Sequence, residues 1–256
     1  MLQQPGRNII NDRSRKGSAD ALPPRSTAHR RIAAIEPVLP AEAGAHRNRA
    51  RVLRAALELF AHRGYGGTSV RDICAAAHMQ APTLYAQFPS KEHVLAELIR
   101  LAYAELLRRL RAALLDCQPD PAQQLTALVR AHVIAHCEMA MLGVVASAEL
   151  HMLSAGAAAP ILVMVEQAEQ LLIDIFTRGR RQGLFEVADE FLALRAIASL
   201  GVRVANWYTP ACGRTPVQIA DAYAGFAQRL LVAPLSGCAA PATPAARRSL
   251  RRGRSH

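Results

Sequence analysis

Four consecutive residues, Gln80 to Thr83, carry side chains that suit the edges of DNA bases. The Gln80 amide and the Thr83 hydroxyl can hydrogen-bond base edges in the major groove, and Ala81 and Pro82 can contact a thymine methyl group. Side chains at the start of a recognition helix are the ones that reach those edges. We therefore treat these four residues as candidates for reading DNA sequence.

Groups that suit phosphate lie on both sides of this run. After it, Tyr85, Gln87 and Lys91 carry donors that can bind phosphate oxygens. Before it, either Thr68 or Ser69 can cap a helix, and the N–H groups at that helix N-terminus can also hold phosphate. The pattern indicates contact with the DNA backbone beside the contact with the bases.

The distribution of charge also favours a DNA-binding module. The chain has 256 residues and a formal net charge of +11. The net charge is +3 over residues 1–46, +4 over 47–90, −1 over 91–240 and +5 over 241–256. This distribution excludes a uniformly basic, histone-like protein and indicates a basic module beside a neutral one. Arg47 and Arg49 open the basic module and are candidates for minor-groove or backbone contacts.

Helical periodicity supplies the elements that must position these groups. A first helix ends at Gly64, a residue type that suits a helix C-terminus. Two short helices are predicted over 71–77 and 80–88, and a long helix over 91–115. Two short helices between longer ones form the helix-turn-helix arrangement, which places its second helix in the major groove.

The rest of the chain also predicts helices. They are expected over 121–136, 138–154, 160–182, 189–208 and 216–232. No stretch alternates with period two between hairpin turns, so a sheet is not expected. The predicted fold class is therefore all-α.

The run from Arg47 to Ile99 resembles the DNA-binding domain of the TetR family of bacterial repressors. Its most diagnostic parts are LFAHRGYGGTSVRDI, over 59–73, and TLYAQFPSKE, over 83–92. The chain departs from the family pattern at two positions. His78 stands in the turn where Gly is usual, and Gln80 stands where Ser or Thr usually caps the recognition helix. The family favours Gly in this turn because the position tends to be left-handed, which His tolerates better than most residues.

The resemblance implies a second, helical domain that binds a small ligand and forms a homodimer through its last two helices. Residues 182–210 and 215–231 are similar to an actinobacterial branch whose repressors of sterol and fatty-acid catabolism respond to CoA thioesters. The implied protein is a repressor that binds a pseudo-palindromic operator in double-stranded DNA and is released by a small hydrophobic or acyl-CoA-like ligand. The implied domains are a disordered basic arm (1–46), a helix-turn-helix domain (47–92), a helical ligand-binding and dimerisation domain (93–236) and a disordered basic tail (237–256).

Two apolar stripes on the last two predicted helices are candidates for the dimer interface. They are Leu194, Ile197, Gly201, Val204 and Tyr208 on one helix, and Ile219, Tyr223, Phe226 and Leu230 on the next. Two such helices from each subunit would build a four-helix interface, and Gly201 would allow close approach. The alternative is that both stripes pack within their own domain. Two half-sites one helical turn apart require a two-fold dimer, which favours the interface.

Candidate ligand-binding residues lie mainly in a methionine-rich part of the second domain. They are His132, His136, Met139, Leu142, Met152 and Met164. Methionine suits pockets for varied hydrophobic ligands but also fills ordinary cores, so both interpretations stay open. The two histidines are four residues apart, but no further metal-ligand motif accompanies them, and we predict pocket or core histidines and no metal. Arg178 is a candidate phosphate clamp for a CoA-type ligand, with interaction with a helix C-terminus as the alternative.

Other features limit the classes of function. Five scattered cysteines without a C-x-x-C pair fit reduced thiols in the cytoplasm. Neither a signal-peptide core nor a run long enough to span a membrane is present, so no membrane partner is expected. Catalytic and nucleotide-binding motifs are absent, and we expect neither an enzyme nor a cofactor. The main alternative to a ligand-responsive repressor is a constitutive architectural DNA-binding protein that has no small-molecule inducer.

Overall fold

The computed structural model describes residues 35–232, and over this range the chain is helical. The α-helices are α1 (Arg47–Arg63), α2 (Val70–Ala76), α3 (Ala81–Tyr85), α4 (Lys91–Leu115), α5 (Pro121–Glu138), α6 (Ala140–Glu149), α7 (Ala155–Arg181), α8 (Glu190–Val204) and α9 (Pro216–Val232). Three short 3-10 helices, Ala41–Ala45, Leu150–Met152 and Pro210–Cys212, lie between or before them. No strand occurs in residues 35–232, and the all-α prediction is confirmed.

The predicted basic arm and tail fall largely outside the described part of the chain. Residues 1–34 of the arm and the whole predicted tail, 237–256, are not described. The described part of the arm differs from the prediction of disorder, since Ala41–Ala45 form a 3-10 helix. Ala43 is buried in the core beside α1, and the Glu42 carboxylate pairs with Arg100 on α4. Regular structure therefore begins before the predicted boundary at residue 47.

The first three helices pack around one apolar centre. α1 buries Leu53, Leu57 and Phe60, which lie four and three residues apart on one face of the helix. α3 is only five residues long, and Leu84 is its one buried residue. Phe88, four residues further on, is also buried and anchors the chain that leaves α3. Because these two side chains hold the short helix, the remaining α3 positions can face outward.

The start of α2 resolves the choice between Thr68 and Ser69 as the cap. The Ser69 hydroxyl accepts a hydrogen bond from the Asp72 N–H at 3.1 Å, and the Asp72 carboxylate accepts one from the Ser69 N–H at 2.8 Å. This reciprocal pair is a capping box, which satisfies two backbone donors at the helix start. The Ser69 hydroxyl also donates to the Asp72 carboxylate at 2.6 Å, and this bond, together with the one from the Ser69 N–H, lowers the pKa of Asp72 below its usual value.

The C-terminal helices are arranged around α5, which contacts α4, α7, α8 and α9. α9 lies against α5 through the small buried residues Ala220, Ala224 and Ala227. Small side chains allow two helices to approach closely, which explains the extensive contact between this pair. The helical bounds match the prediction for α4 and α9.

The start of α7 differs from the predicted bounds. The sequence predicts that this helix begins at Pro160, whereas it begins at Ala155. Proline lacks the N–H that would bond to the carbonyl four residues earlier, on Gly156. Gly156 is exposed, so water can satisfy its carbonyl and the helix tolerates the proline.

None of the described helices alone has the length and hydropathy of a membrane span. The consecutive helices Pro121–Glu138 and Ala140–Met152 meet those criteria only as a pair, and they are bent by 97° at the break between them.

Candidate functional site

The start of α3 presents the predicted base-reading residues to solvent. Gln80, Ala81, Pro82 and Thr83 are all exposed. Gln80 occupies the N-cap position but makes no side-chain cap bond, so its amide remains available for a base edge. Tyr85, one turn from Gln80, is 50% exposed, and its hydroxyl can reach a phosphate. The five residues together form a continuous exposed surface, which we call the reading surface.

Arg51 holds the turn between α2 and α3. His78 in this turn has a φ of 49°. This is the left-handed conformation expected at the position where the TetR pattern usually has Gly. The Arg51 guanidinium donates hydrogen bonds to the carbonyl oxygens of Ala77 and His78, the latter at 3.0 Å. A cation at these carbonyls also suits the negative end of α2. Arg51 thus fixes the angle at which α3 leaves α2.

Arg49, a predicted DNA contact, makes several contacts within the protein. Its guanidinium pairs with the Glu97 carboxylate at 3.0 Å and donates to the backbone carbonyl of Gln87 at 3.3 Å. It also lies over the Phe88 ring, 4.3 Å from its centroid. Because these partners lie on and before α4, Arg49 joins α1 to α4. The Gln87 side chain is half-buried, which limits its predicted access to phosphate.

Lys91 and Thr68, two further predicted DNA contacts, also bond within the protein. The Lys91 ammonium donates to the carbonyl oxygens of Tyr65 at 2.8 Å and Thr68 at 2.7 Å, and it lies over the Tyr65 ring. Two of its three N–H donors are therefore used inside the protein. Thr68 is buried, and its hydroxyl donates to the Gly64 carbonyl at 2.9 Å, so it does not face DNA. Lys91 instead connects the first turn of α4 to the loop between α1 and α2.

Exposed arginines supply the positive charge of the module. Arg47, predicted to contact DNA, is exposed at the start of α1. Arg54 on α1 and Arg71 on α2, which were not among the predicted contacts, are also exposed. The sequence feature that could have identified them is a basic residue opposite the apolar face of an amphipathic helix. Ser69, the other predicted contact, is exposed, although its hydroxyl is engaged with Asp72.

Two carboxylates join this module to the C-terminal helices. Glu149 at the end of α6 accepts a hydrogen bond from the Tyr65 N–H at 3.2 Å. Glu92 in the first turn of α4 accepts one from the Ser154 N–H at 2.8 Å, just before α7. Hydrogen bonding by the Ser154 side chain and by its N–H lowers the pKa of Glu92 below its usual value. Each bond crosses between the N-terminal module and the second domain.

The second domain contains an apolar cavity of about 250 Å³ between α4, α5, α7 and α8. Most of its wall is aliphatic, and the main contributors are Leu106, Leu110, Leu128, Leu172 and Ile197. Four polar side chains also line it, namely Tyr103, His132, Glu169 and Arg195. An apolar pocket with a few placed polar groups is the usual form of a small-molecule site.

His132 and His136 lie side by side on α5, and their ring centroids are 4.6 Å apart. Burial lowers the pKa of His132 to about 3, and it also lowers the pKa of His136. Both rings are therefore neutral near pH 7. His132 faces the cavity, and His136 lines an adjacent cavity of about 50 Å³ with Met139 and Leu142. In residues 35–232, no group of three or more His, Cys, Asp or Glu side chains could hold a metal ion.

The other predicted ligand-binding residues lie elsewhere. Met152 is exposed on a 3-10 helix, and Met164 lines an outer groove between α4 and α7. Arg178 donates to the Gln124 side chain at 2.7 Å and does not line the cavity. The predicted phosphate clamp is therefore replaced by a bond within the domain. Tyr103, Glu169 and Arg195 were not predicted, because no local motif marks residues that meet from three separate helices.

Most of the predicted dimer residues are buried within the protomer. These are Ile197, Gly201, Val204, Tyr208 and Ile219. Leu194 lines the cavity together with Ile197, and Tyr223 is half-buried. Gly201 faces the His132 ring, and a Cβ atom there would lie 2.5 Å from its Nδ1. The close approach that Gly201 permits is thus with α5 of the same chain. Only Phe226 and Leu230 of the two stripes are exposed, at 49% and 40%.

Comparison with known proteins covers both parts of this architecture. A model described as bacterial regulatory proteins, tetR family, matches residues 52–98, and one described as tetracyclin repressor-like, C-terminal domain, matches residues 118–231. The HTH-type transcriptional repressor KstR2 of Mycobacterium tuberculosis is 29% identical over 182 residues, covering 68% of this chain and 88% of KstR2.

Two solved structures extend the comparison. The TetR family transcriptional regulator PfmR from Thermus thermophilus is 30% identical, with a TM-score of 0.64, covering 70% of this chain and 97% of PfmR. A tetR-family regulatory protein from Rhodococcus RHA1 is 29% identical, with a TM-score of 0.67, covering 73% of this chain and 97% of that protein. Proteins of this family are DNA-binding regulators and not enzymes. With both domain models matched and the fold shared over nearly the whole of these relatives, the chain belongs to the TetR family of bacterial regulatory proteins.

Proposed function

We propose that this protein is a ligand-responsive repressor that binds a pseudo-palindromic operator as a homodimer and is released by a small hydrophobic or acyl-CoA-like molecule. The observation that carries the proposal is that one helix, α4, serves both sites. Lys91 at its start holds the loop between α1 and α2. Tyr103 and Leu106, three to four turns further on, line the cavity. A ligand that displaces α4 therefore also displaces the DNA-binding module.

The direction of the response follows from linkage. A ligand shifts a two-state equilibrium only by its difference in affinity for the two states. To release the operator, it must bind more tightly to the form whose two recognition helices no longer match adjacent major grooves. The Glu149 and Glu92 bonds across the domain boundary give the second domain two further contacts with the module.

The DNA-binding role is assigned to the reading surface and its flanks. Gln80 and Thr83 contact base edges, and Ala81 and Pro82 supply apolar contact in the major groove. Tyr85 and the exposed arginines of α1 and α2 contact phosphate. A bacterial repressor binds chromosomal DNA, which lies in the cytoplasm, and we therefore assign the protein to that compartment.

The homodimer is assigned to the outward faces of α8 and α9. Along α8, Leu192, Ala196 and Leu200 follow one another at intervals of four residues, and all are at least partly exposed. Along α9, Ala222, Phe226 and Leu230 do the same, and all are exposed. Two apolar stripes on adjacent helices can form a four-helix interface with their copies in a second subunit. This candidate interface keeps Phe226 and Leu230 of the predicted stripes and replaces their buried members.

The cavity supports the ligand-responsive form of this function over the architectural alternative, which needs no pocket. One relative, the ketosteroid transcriptional regulator KstR2 of Mycobacterium tuberculosis, is 26% identical in its solved structure, with a TM-score of 0.67.

A cavity of about 150 Å³ accommodates benzene, and by proportion one of about 250 Å³ holds about ten non-hydrogen atoms. An acyl chain or small ring system therefore fits inside, while a CoA moiety stays outside.

The test begins with selection of bound genomic DNA fragments, followed by footprinting of the selected sequence. We expect a protected pseudo-palindrome and a complex that contains two protomers. Addition of acyl-CoA thioesters and free acids then tests release, which the proposal predicts for at least one compound. Operator binding that no apolar metabolite changes would support the architectural alternative, and the absence of any footprint would overturn the DNA-binding role.

A further inference from the structure

We propose that Arg195 recognises an anionic group of the ligand at the mouth of the cavity, and that the Glu169 carboxylate pairs with the Arg195 guanidinium when the ligand is absent. This inference rests on the proposed function and adds the chemical class of the ligand. The ligand has an apolar body of about ten non-hydrogen atoms, on the scale at which about 150 Å³ holds benzene. It ends in a negatively charged group, either a carboxylate or the phosphates of a thioester.

The position of the ion pair identifies the mouth. Glu169 on α7 and Arg195 on α8 both line the cavity, and their side chains are 38% and 56% exposed. Side chains that contact both the cavity and bulk solvent must lie where the two meet. Their nearest charged atoms are 2.7 Å apart, so the pair joins α7 to α8 across this opening. The exposed Phe191 ring lies under the Arg195 guanidinium, 5.6 Å from its carbon atom.

The ion pair can be exchanged for a ligand. Ion pairs between partly exposed side chains contribute little to folding, because water screens them and both chains lose freedom. Replacement of the Glu169 carboxylate by another anion therefore costs the protein little. The guanidinium offers a planar fork of donors that matches carboxylate and phosphate oxygens, and Phe191 limits its orientations.

The interior of the cavity explains why the charged end stays at the mouth. Among residues 35–232, Glu169 and Arg195 are the only charged side chains that line it, and the rest of this wall is apolar except for Tyr103 and His132. His132 is half-buried beside the cavity, and its lowered pKa leaves the ring neutral near pH 7; no hydrogen bond of its ring atoms is found among the described residues. It can therefore hydrogen-bond a carbonyl or hydroxyl group of the ligand but cannot neutralise an anion. An unpaired charge in this interior would be strongly unfavourable, so the apolar body enters first.

The test compares matched ligands by calorimetry on the full-length protein without DNA. The probes are hexanoate, octanoate, decanoate and cyclohexylacetate, each with its methyl ester and its CoA thioester. We expect the acids, the thioesters or both to bind about tenfold more tightly than the matching methyl esters. One charge-assisted contact accounts for a difference of this size. Preference for acids identifies the carboxylate as the recognised group, and preference for thioesters identifies the phosphates.

Three variants separate recognition from folding. Arg195→Gln is expected to remove the preference for anions while it keeps the affinity for esters, which shows an intact cavity. Glu169→Gln is expected to raise the affinity for anions, because the competing carboxylate is lost. Arg180→Gln is the matched control, since Arg180 pairs with Glu190 at 2.8 Å outside the cavity, and it should behave as wild type.

The inference is overturned if no member of the series binds, if esters bind as tightly as their charged counterparts, or if Arg195→Gln keeps the preference. These outcomes are independent of DNA. A failure here accompanied by a normal footprint would remove the anion site and leave the repressor function intact. If no footprint is found but the ligands bind with the predicted preference for anions, the anion site stands and the repressor function is overturned.

Discussion

The Glu149 carboxylate accepts a hydrogen bond from the backbone N–H of Tyr65, and 3.2 Å separates the two atoms. Glu149 ends α6, whose earlier residues line the smaller cavity, and Tyr65 lies in the loop that follows α1. The carbonyl of the same Tyr65 accepts from Lys91 at the start of α4. One loop residue is thus bonded to two helices that line the cavities.

Removal of this bond should weaken the response to ligand. In Glu149→Ala we expect the ratio of operator affinities without and with ligand to fall several-fold, because one of the direct bonds between the domains is lost. Glu149→Gln keeps an oxygen acceptor and should retain most of the ratio. Fluorescence anisotropy of a labelled operator measures both. An unchanged ratio in the alanine variant would exclude Glu149 from the coupling.

Arg51 should stabilise the folded protein, whereas Arg47 should not. Arg51→Ala removes the hydrogen bonds to the Ala77 and His78 carbonyls, and we expect a loss of about 1–2 kcal/mol in the free energy of unfolding. Arg47→Ala, one helical turn earlier, should change it by less than about 0.5 kcal/mol, because the exposed Arg47 side chain makes no hydrogen bond or ion pair with the described residues. Urea unfolding compares the two variants. Equal losses would contradict the structural role of Arg51.

Base-reading and phosphate-binding residues should differ in their effect on specificity. Gln80→Ala and Thr83→Ala should alter the preferred operator sequence, with about 1–3 kcal/mol less discrimination at the base each contacts. Tyr85→Phe should weaken binding to operator and random DNA by a similar factor. Selection from a randomised DNA pool gives the preference of each variant. A preference that stays unchanged in both alanine variants would remove these residues from base reading.

The buried histidines should make stability depend on pH. The pKa of His132 is lowered to about 3, so between pH 3 and its usual value of 6.5 the unfolded chain binds more protons than the folded one. Stability therefore falls as the pH drops through this range. Between about pH 7.5 and about pH 5.5, His132→Leu should remove about 1 kcal/mol of this fall. His151→Gln, at an exposed position, is the control and should keep the wild-type slope. Equal slopes for His132→Leu and wild type would contradict the buried, neutral state.

The features predicted well from the sequence depend on local chemistry. A cap at Thr68 or Ser69, the left-handed turn at His78 and the start of α3 each follow from a few neighbouring residues, and the structure selects Ser69 as the cap. The all-α fold follows from periodicity within each helix, and the family motif adds the order of the first helices. These features can be predicted without knowing which helices pack against one another.

The features missed from the sequence depend on contacts between distant residues. Arg49 is a plausible DNA contact until Glu97 is found beside it on another helix. Gly201 indicates close helix approach, but the sequence does not state that the partner is His132 rather than a second subunit. Glu169 and Arg195, 26 positions apart, meet only because α7 and α8 flank the same cavity. Periodicity assigns a face to each such residue without naming its partner.

The central claim is that occupation of the cavity controls operator binding. Ala198 lines the cavity, and Ala198→Phe should fill part of it while the reading surface is unchanged. The most direct measurement is an anisotropy titration of the operator with wild type and this variant, each with and without the tightest-binding compound of the acid, ester and thioester series. We predict that the compound lowers the operator affinity of wild type at least about tenfold, within the usual range of allosteric coupling, and leaves that of the variant unchanged. Equal release of both proteins, or ligand binding to wild type without any change in operator affinity, would contradict the account.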